Sequence, residues 1–312
     1  MPVPLKFLIF QLLIFLPFIA GILCKRYFTD PPNTAKRIIR TNLVAVEPLV
    51  ALWSIWGLRL SINLLYLPCA GLLLVVAGFF AGIITAPAAR LTEKSRATYI
   101  ISSSLANHGF TMGGFLCYLF IGERGLALSF IFLVYFMPFV FMFIFPYAKA
   151  KTHSGDYRVS EFLCSLQNMP LLGVFLGLAL NVAGIMRPKV YFPMEILILI
   201  SMSLYYFTLG LTVTLEGLRS CYTSQILLSL AKFIVLPAVT LAVLRIIPVQ
   251  GEVAAVIALE SFMPAAIYSV IASILFDLDI RLASSLFIVN TVIFLAAVLP
   301  LLMLFRGTLL GL

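Results

Sequence analysis

Long apolar runs follow one another along almost the whole chain, with short polar segments between them. A helix needs about 20 apolar residues to cross the hydrocarbon core of a bilayer, and ten runs approach or exceed that length. Their approximate bounds are 5–23, 42–62, 64–86, 97–121, 125–147, 169–185, 192–215, 223–247, 252–276 and 282–305. Since 62% of the residues are hydrophobic and 11% charged, the sequence predicts an all-α polytopic membrane protein with ten transmembrane helices.

The net charge of +9 does not indicate a nucleic-acid-binding protein, because no basic stripe is interleaved with aromatic residues. The five cysteines are scattered and form no CxxC pair, so neither a disulfide framework nor a zinc site is expected. No GxSxG, HExxH, Walker A or Rossmann glycine pattern occurs in a suitable context. We therefore expect neither an enzyme nor a bound cofactor.

The spacing of the runs predicts an internal repeat. The third and eighth runs start about 159 residues apart and the fifth and tenth about 157 apart. The predicted parts are a first repeat at 1–148, a cytoplasmic linker at 149–168 and a second repeat at 169–312. Five spans per half would make the second repeat enter the membrane from the opposite side, as in many secondary transporters. The alternative is that the similar spacings carry no meaning, since hydropathy fixes boundaries loosely.

The basic residues predict the orientation. Loops after the odd-numbered spans hold thirteen Lys and Arg residues, whereas the other face, with both termini, holds seven. Because cytoplasmic loops are enriched in Lys and Arg, we expect a cytoplasmic-membrane protein with the central linker inside, both termini outside and lipid around it. The sequence leaves a monomer and a homodimer open.

Two spans are predicted to be broken near their centres. The ninth contains Pro264, which cannot continue the backbone hydrogen bonding of a helix, and the fourth contains Asn107, His108 and Gly109, which are poor helix residues in sequence. The two breaks are predicted to cross near the membrane midplane, where half-helix N-termini would suit an anionic substrate. The predicted substrate-binding residues are Asn107, His108, Gly109, Thr111, Met263, Pro264, Ala265, Tyr268 and Tyr205.

Glu260 is the candidate coupling residue. A charge inside a membrane helix costs about 3 kcal/mol or more, so it indicates an ion or proton site unless it only pairs with another group. Oxygen ligands suit sodium, and the candidates are Glu260, Ser104, Asn107, Ser261 and Met263, the last through its carbonyl. His108 is an alternative proton carrier, or only bonds a free carbonyl.

Two further charged residues lie in predicted spans. Lys232, in the eighth, is predicted to pair with Glu260, with snorkelling or a substrate contact as alternatives. Glu47 lies near the start of the second span, so an interfacial position is expected for it.

At these positions the sequence resembles the auxin efflux carrier family. The likeness covers "ANHGFTMGGFLCYLFIGERGLALS", "NMPLLGVFLGLAL", "YYFTLGLTV", "AKFIVLPAV" and "FMPAAIYSVIASILFDLDIRLASSLFIVNTV". The resemblance implies the ten-helix inverted repeat of bile acid:sodium symporters, with crossed helices four and nine, and an elevator-like motion. It also implies that Glu260 corresponds to a cation-binding glutamate. The first break reads Asn-His-Gly instead of Asn-Pro-Asn, which argues against auxin itself.

These observations predict a secondary transporter of a small organic anion of the carboxylate type, coupled to sodium. The alternatives are a proton-coupled or uncoupled efflux carrier and a non-transporting sensor on the same fold. A passive channel is disfavoured because the remaining spans carry almost no charge.

Overall fold

The computed structural model describes residues 3–109, 112–152, 168–212 and 221–310, and in these ranges the chain is helical without a β-strand. Six helical stretches of this described part are long and apolar enough to cross a membrane. They are Pro31–Trp56, Ile62–Ala89, Glu123–Thr152, Met194–Thr212, Tyr222–Leu244 and Ile280–Leu304. The predicted all-α, multi-pass membrane protein is confirmed at this level.

The chain divides into two compact units, each of which takes segments from both halves of the sequence. Unit 1 comprises Met1–Leu60, Phe110–Phe130 and Ser160–Val213, and unit 2 comprises Ser61–Gly109, Ile131–Val159 and Thr214–Leu312. The two units are defined by which segments pack together, whereas the predicted repeats are consecutive halves of the sequence. The repeat boundaries therefore stay a prediction. Most of the predicted linker, 153–167, lies outside the described residues.

Unit 1 is built from the first, second, sixth and seventh predicted spans, the second half of the fourth and the start of the fifth. Its helices are α1 (Val3–Cys24), α2 (Pro31–Thr41), α3 (Glu47–Trp56), α6 (Gly113–Ile121), α7 (Glu123–Phe132, as far as Phe130), α10 (Met169–Val182) and α11 (Met194–Thr212).

Unit 2 contains the other described helices and the segments through which the two breaks pair, whereas α6, where the helix resumes after the first break, belongs to unit 1. Its helices are α4 (Tyr66–Thr85), α5 (Glu93–Ser104), α8 (Phe136–Phe139), α9 (Phe145–Thr152), α12 (Tyr222–Leu230), α13 (Leu236–Leu244), α14 (Gly251–Ser261), α15 (Ile267–Leu275), α16 (Ile280–Ile293), α17 (Leu299–Leu304) and α18 (Arg306–Leu310).

Both predicted breaks are present. The fourth span ends as a helix at Ser104 and resumes at Gly113, and the ninth ends at Ser261 and resumes at Ile267. A proline removes a backbone donor and clashes with the preceding turn, which explains why α14 stops just before Pro264. The half-helix α15 begins at Ile267, three residues after Pro264.

Four π-helical segments widen the described helices, and each is followed by a proline two residues after its end. They are Asn42–Val46, Val140–Ile144, Ala231–Val235 and Phe294–Val298, ahead of Pro48, Pro146, Pro237 and Pro300. A proline in a helix leaves the carbonyl four residues earlier without its usual donor and crowds it. A wider turn relieves that crowding and lets the helix continue, and such π-bulges are frequent at functional sites.

Three loops of unit 2 meet at one end of that unit. Lys94 contacts Asp277 at 2.6 Å, and Lys151 lies 3.8 Å from Glu93. Asp279 caps α16 by accepting from the Leu282 N–H at 3.0 Å. These loops follow the third, fifth and ninth predicted spans, which the charge count assigns to a single membrane face.

Close helix contacts in unit 1 depend on glycine. A Cβ at Gly21 of α1 would collide with the Phe207 carbonyl of α11, and one at Gly210 of α11 would collide with the Phe18 carbonyl of α1. Small residues of this kind let membrane helices approach backbone to backbone.

Candidate functional site

The two chain breaks are joined by backbone hydrogen bonds within unit 2. The Asn107 N–H donates to the Pro264 carbonyl at 2.7 Å, and the Ala266 N–H donates to the Leu105 carbonyl at 3.2 Å. Ala106 and Ala265 thereby form an antiparallel bridge. The pairing satisfies backbone groups that lose their helical partners, as a non-aqueous setting requires.

His108 connects the first break to the end of α14. Its Nδ1 lies 2.6 Å from the Tyr135 hydroxyl, and the imidazole also hydrogen-bonds the backbone of Glu260. The ring of Phe132 packs edge-on against the imidazole at 5.1 Å between centroids. His108 is 2% exposed, so its orientation is fixed from several sides.

Glu260 lies in the last turn of α14 and is completely buried. Its carboxylate is near enough to Tyr135 to interact with it electrostatically. The Glu260 carbonyl accepts from the Met263 N–H at 3.2 Å, and the Leu259 carbonyl accepts from the Phe262 N–H at 3.1 Å. Two of the carbonyls before the proline therefore already hold donors.

Lys232 lies in a π-helical segment and is 1% exposed. Its ammonium donates to the carbonyls of Leu105 at 3.1 Å and Ser104 at 3.4 Å, and it interacts electrostatically with the His108 ring. The lysine thus stabilises the C-terminal end of α5 at the first break. Its pairing with Glu260 stays a prediction.

Asn290 and Tyr135 belong to this cluster, and sequence reasoning missed both. The Asn290 Oδ1 accepts from the Ala265 N–H at 2.9 Å, and its Nδ2 donates to the Ser229 hydroxyl at 3.0 Å. Asn290 could have been identified from the sequence, because it is a lone asparagine inside the apolar tenth span. Tyr135 gives no comparable signal, because tyrosine is common in membrane helices.

Two predicted ligands donate their hydroxyls to backbone carbonyls, Ser104 to the neighbouring helix α4 and Ser261 within its own helix α14. Ser104 donates to the Val75 carbonyl and Ser261 to the Ala258 carbonyl, at 2.8 and 2.6 Å. Tyr268 packs edge-on against Phe136 at 5.2 Å. These contacts leave their predicted roles open.

The other predicted site residues fall in different surroundings. Met263, Pro264 and Ala265 are buried at the second break, and Gly109 is partly exposed at the first. Thr111 lies outside the described residues. Tyr205 belongs to unit 1, not to the unit that contains the breaks.

In the described part of unit 2, two buried hydroxyls have no hydrogen-bond partner. They are the Oγ of Ser102 in α5 and the Oγ1 of Thr291 in α16. Thr291 follows Asn290 directly, and Ser102 lies two residues before Ser104. Buried polar groups are normally satisfied, so these hydroxyls have spare capacity for a bound ligand.

Tyr205 instead donates to the Glu47 carboxylate inside unit 1. Glu47 is only 4% exposed, so it is enclosed by protein, and its expected position near the membrane interface stays a prediction. Glu47 is the first residue of α3 and follows the π-helical segment Asn42–Val46 directly. Hydropathy places a residue along a span and does not say toward which side it points.

Unit 1 also has a pocket of about 360 Å³ beside the loop between α10 and α11. Arg187 forms one wall: its guanidinium pairs with Glu123, donates to the Trp53 carbonyl at 3.1 Å and stacks over the Trp53 ring at 5.0 Å. Phe192 stacks on the same indole at 4.5 Å. Each group in this wall is engaged by the others, so the arrangement stabilises the loop.

Comparison with known proteins gives a related transporter. No protein-family model matches the chain. The chain is 30% identical over 213 residues to an uncharacterized transporter of Methanocaldococcus jannaschii, a match that covers 65% of this chain and 66% of the relative. It therefore spans just under two thirds of the relative's length. Together with the apolar helices, this similarity supports a multi-pass membrane protein of the transporter type.

Proposed function

We propose that the chain is a secondary active transporter that carries a small organic anion of the carboxylate type by alternating access, with sodium as the coupling ion. The observation that carries the proposal is the backbone pairing of the two helix breaks at Ala106 and Ala265. Non-helical backbone inside a membrane is tolerated where it is buried in protein or lines a cavity, and transporters place their substrates at such breaks.

The charge around the breaks favours an anion. Lys232 directs its terminal amino group, a cation when protonated, at the end of α5, and the N-terminus of α15 lies directly after the second break. Both favour negative charge nearby. The buried hydroxyls of Ser102 and Thr291 add donors of the kind that a carboxylate accepts.

Glu260 is the proposed coupling residue. A buried carboxylate in a membrane protein is stable when a cation or a proton neutralises it. Binding of sodium at Glu260 would also alter the end of α14, from which the second break starts. Proton coupling through Glu260 or His108 is the alternative, since the imidazole hydrogen-bonds the Glu260 backbone.

The proposed architecture is ten transmembrane helices in two inverted repeats, with helices four and nine broken and crossed. Each of the ten predicted runs overlaps between one and three helices. The break positions support the repeat, because Asn107 in the first break and Met263 in the second are 156 residues apart in the sequence. Three loops expected on the cytoplasmic face also meet in unit 2.

Uptake into liposomes tests this function. Purified protein would be reconstituted and assayed with a panel of radiolabelled dicarboxylates and monocarboxylates under a sodium gradient, a proton gradient or neither. We expect saturable uptake that a sodium gradient drives and that Glu260→Gln abolishes. Glu252→Gln, at the start of the same helix α14, is the matched control and should retain uptake.

The outcomes separate the alternatives. Uptake driven only by the proton gradient would replace sodium with protons as the coupling ion. Uptake equal in Glu260→Gln and wild type would remove Glu260 from the coupling. No saturable uptake of any carboxylate would contradict the proposed substrate class.

A further inference from the structure

We infer that Glu47, together with Asn42, forms a second cation site, located in unit 1, that takes a proton or a sodium ion. The site is separate in sequence and in structural unit from Glu260, which lies in unit 2. The inference does not depend on Glu260 being the coupling residue. It concerns a buried acid for which the proposed transport mechanism has no role.

Glu47 is a buried acid without a cationic partner among the described residues. It is 4% exposed, and its hydrogen bond comes from the neutral hydroxyl of Tyr205. A lone hydroxyl donor does not offset the cost of holding a full negative charge away from water. A bound cation, either a proton or a metal ion, would neutralise the carboxylate.

Asn42 supplies a second, independent sign of a missing ligand. Its Nδ2 donates to the Ser201 hydroxyl at 2.6 Å, which orients the amide. The Oδ1 on the other side is buried without a hydrogen-bond partner, although the residue is 1% exposed. An acceptor in this condition requires a donor or a cation.

The π-helical turn brings the two residues to one side of the helix. The Glu47 N–H donates to the Asn42 carbonyl across this turn, so the residues are neighbours along the helix axis. Their partners on α11, Ser201 and Tyr205, are four residues apart and therefore share one face. Both side chains consequently enter the same helix–helix contact.

The ligand chemistry follows from this set. Oxygen atoms and a single carboxylate suit a monovalent cation, whereas calcium sites take six to eight oxygens, usually with more than one carboxylate. A protonated Glu47 would supply a hydroxyl donor for a neighbouring acceptor. A sodium ion would be coordinated by the Glu47 carboxylate, the Asn42 Oδ1 and hydroxyl oxygens.

The test is the thermal stability of the full-length protein in detergent, measured in two series. One varies sodium chloride against choline chloride at constant pH and ionic strength, and the other varies pH at constant sodium. A ligand that binds only the folded state raises the melting temperature by mass action. The variants are Glu47→Gln, Glu260→Gln and the double variant.

We expect Glu260→Gln to retain a melting-temperature response to sodium or to pH that the double variant loses. Loss in the sodium series would identify a sodium site, and loss in the pH series a proton site. Identical responses of Glu260→Gln and the double variant in both series would overturn the inference. Failure of the coupling role of Glu260 would look different, because Glu260→Gln would then match wild type.

Asn42→Ala provides a second variant that keeps the carboxylate. If the site takes sodium, this variant needs a higher sodium concentration for half of the melting-temperature shift. If it takes a proton, the pH at the midpoint of the stability change moves, because the acceptor that would hold the protonated carboxyl is gone. An unchanged response in both series would overturn the role of Asn42, even if Glu47→Gln did not fold.

Discussion

Tyr135 and His108 form a side-chain hydrogen bond at the first break, and the space around the phenol is tightly defined. The bond measures 2.6 Å, and the Tyr135 ring packs against Gly71 of α4, where a Cβ would collide with it. The ring can therefore stay in place when only its hydroxyl is removed. The contribution of the hydrogen bond can therefore be measured separately from that of the ring packing.

Tyr135→Phe should reduce the unfolding free energy by about 1–3 kcal/mol, because it leaves a buried imidazole nitrogen without its partner. Thermal or denaturant unfolding of the purified protein measures this loss. Tyr191→Phe is the control. Tyr191 is 85% exposed, so removal of its hydroxyl leaves no buried group without a hydrogen-bond partner. Equal stability of Tyr135→Phe and wild type would show that the imidazole does not depend on the phenol.

Sequence reasoning identified the residues that break a pattern and missed those that fit one. Glu260, Lys232 and Pro264 violate the apolar helical pattern, and all three lie around the paired breaks of unit 2. Tyr135 violates nothing, since an aromatic residue is ordinary in such a helix. The enclosure of Glu47 by protein could not be predicted either, because a single sequence does not reveal which side of a helix is enclosed.

At the scale of helices, the crossing of α1 and α11 rests on two glycines that face each other. The Gly21 and Gly210 backbones approach so closely that neither position has room for a methyl group. Without water to drive helices together, such van der Waals contact is a main source of association in membranes. The contact therefore belongs to the stability of unit 1.

Gly210→Ala should lower the unfolding free energy by about 1–3 kcal/mol, the usual cost of forcing an extra methyl group into a packed contact. Unfolding of the purified protein in mixed micelles measures it. Ile200→Ala on the same helix is the control, because that side chain is 47% exposed. A Gly210→Ala protein as stable as wild type would mean that the two helices can separate without loss.

Among the helix interruptions, the sequence predicts the two breaks but not the π-helical segments. Prolines and consecutive poor helix formers mark both breaks, so their positions could be predicted to within a few residues. The π-helical segments could not, because a proline in a membrane helix can produce a kink, a break or a wider turn. Which of these forms depends on the side chains packed around it.

For the whole molecule, the ten-helix arrangement requires both interrupted spans to cross the membrane, whereas re-entrant segments would turn back within it. In unit 2, the loop after the third span meets the loop after the ninth through Lys94 and Asp277. A crossing fourth span would put Thr92 and Arg124, at its two ends, on opposite membrane faces. A span that turned back would leave both on one face.

Single cysteines introduced into a cysteine-free background answer this in intact cells. Thr92→Cys should be protected from a membrane-impermeant maleimide until the cells are opened, whereas Arg124→Cys should react from outside. For the ninth span, Gln250→Cys should react from outside and Asp277→Cys only after opening. These four positions are exposed, so accessibility reports the membrane side.

Reaction of both members of a pair from one side would contradict the ten-helix arrangement and favour re-entrant segments. If both interrupted spans were re-entrant, the second half would no longer be an inverted copy of the first.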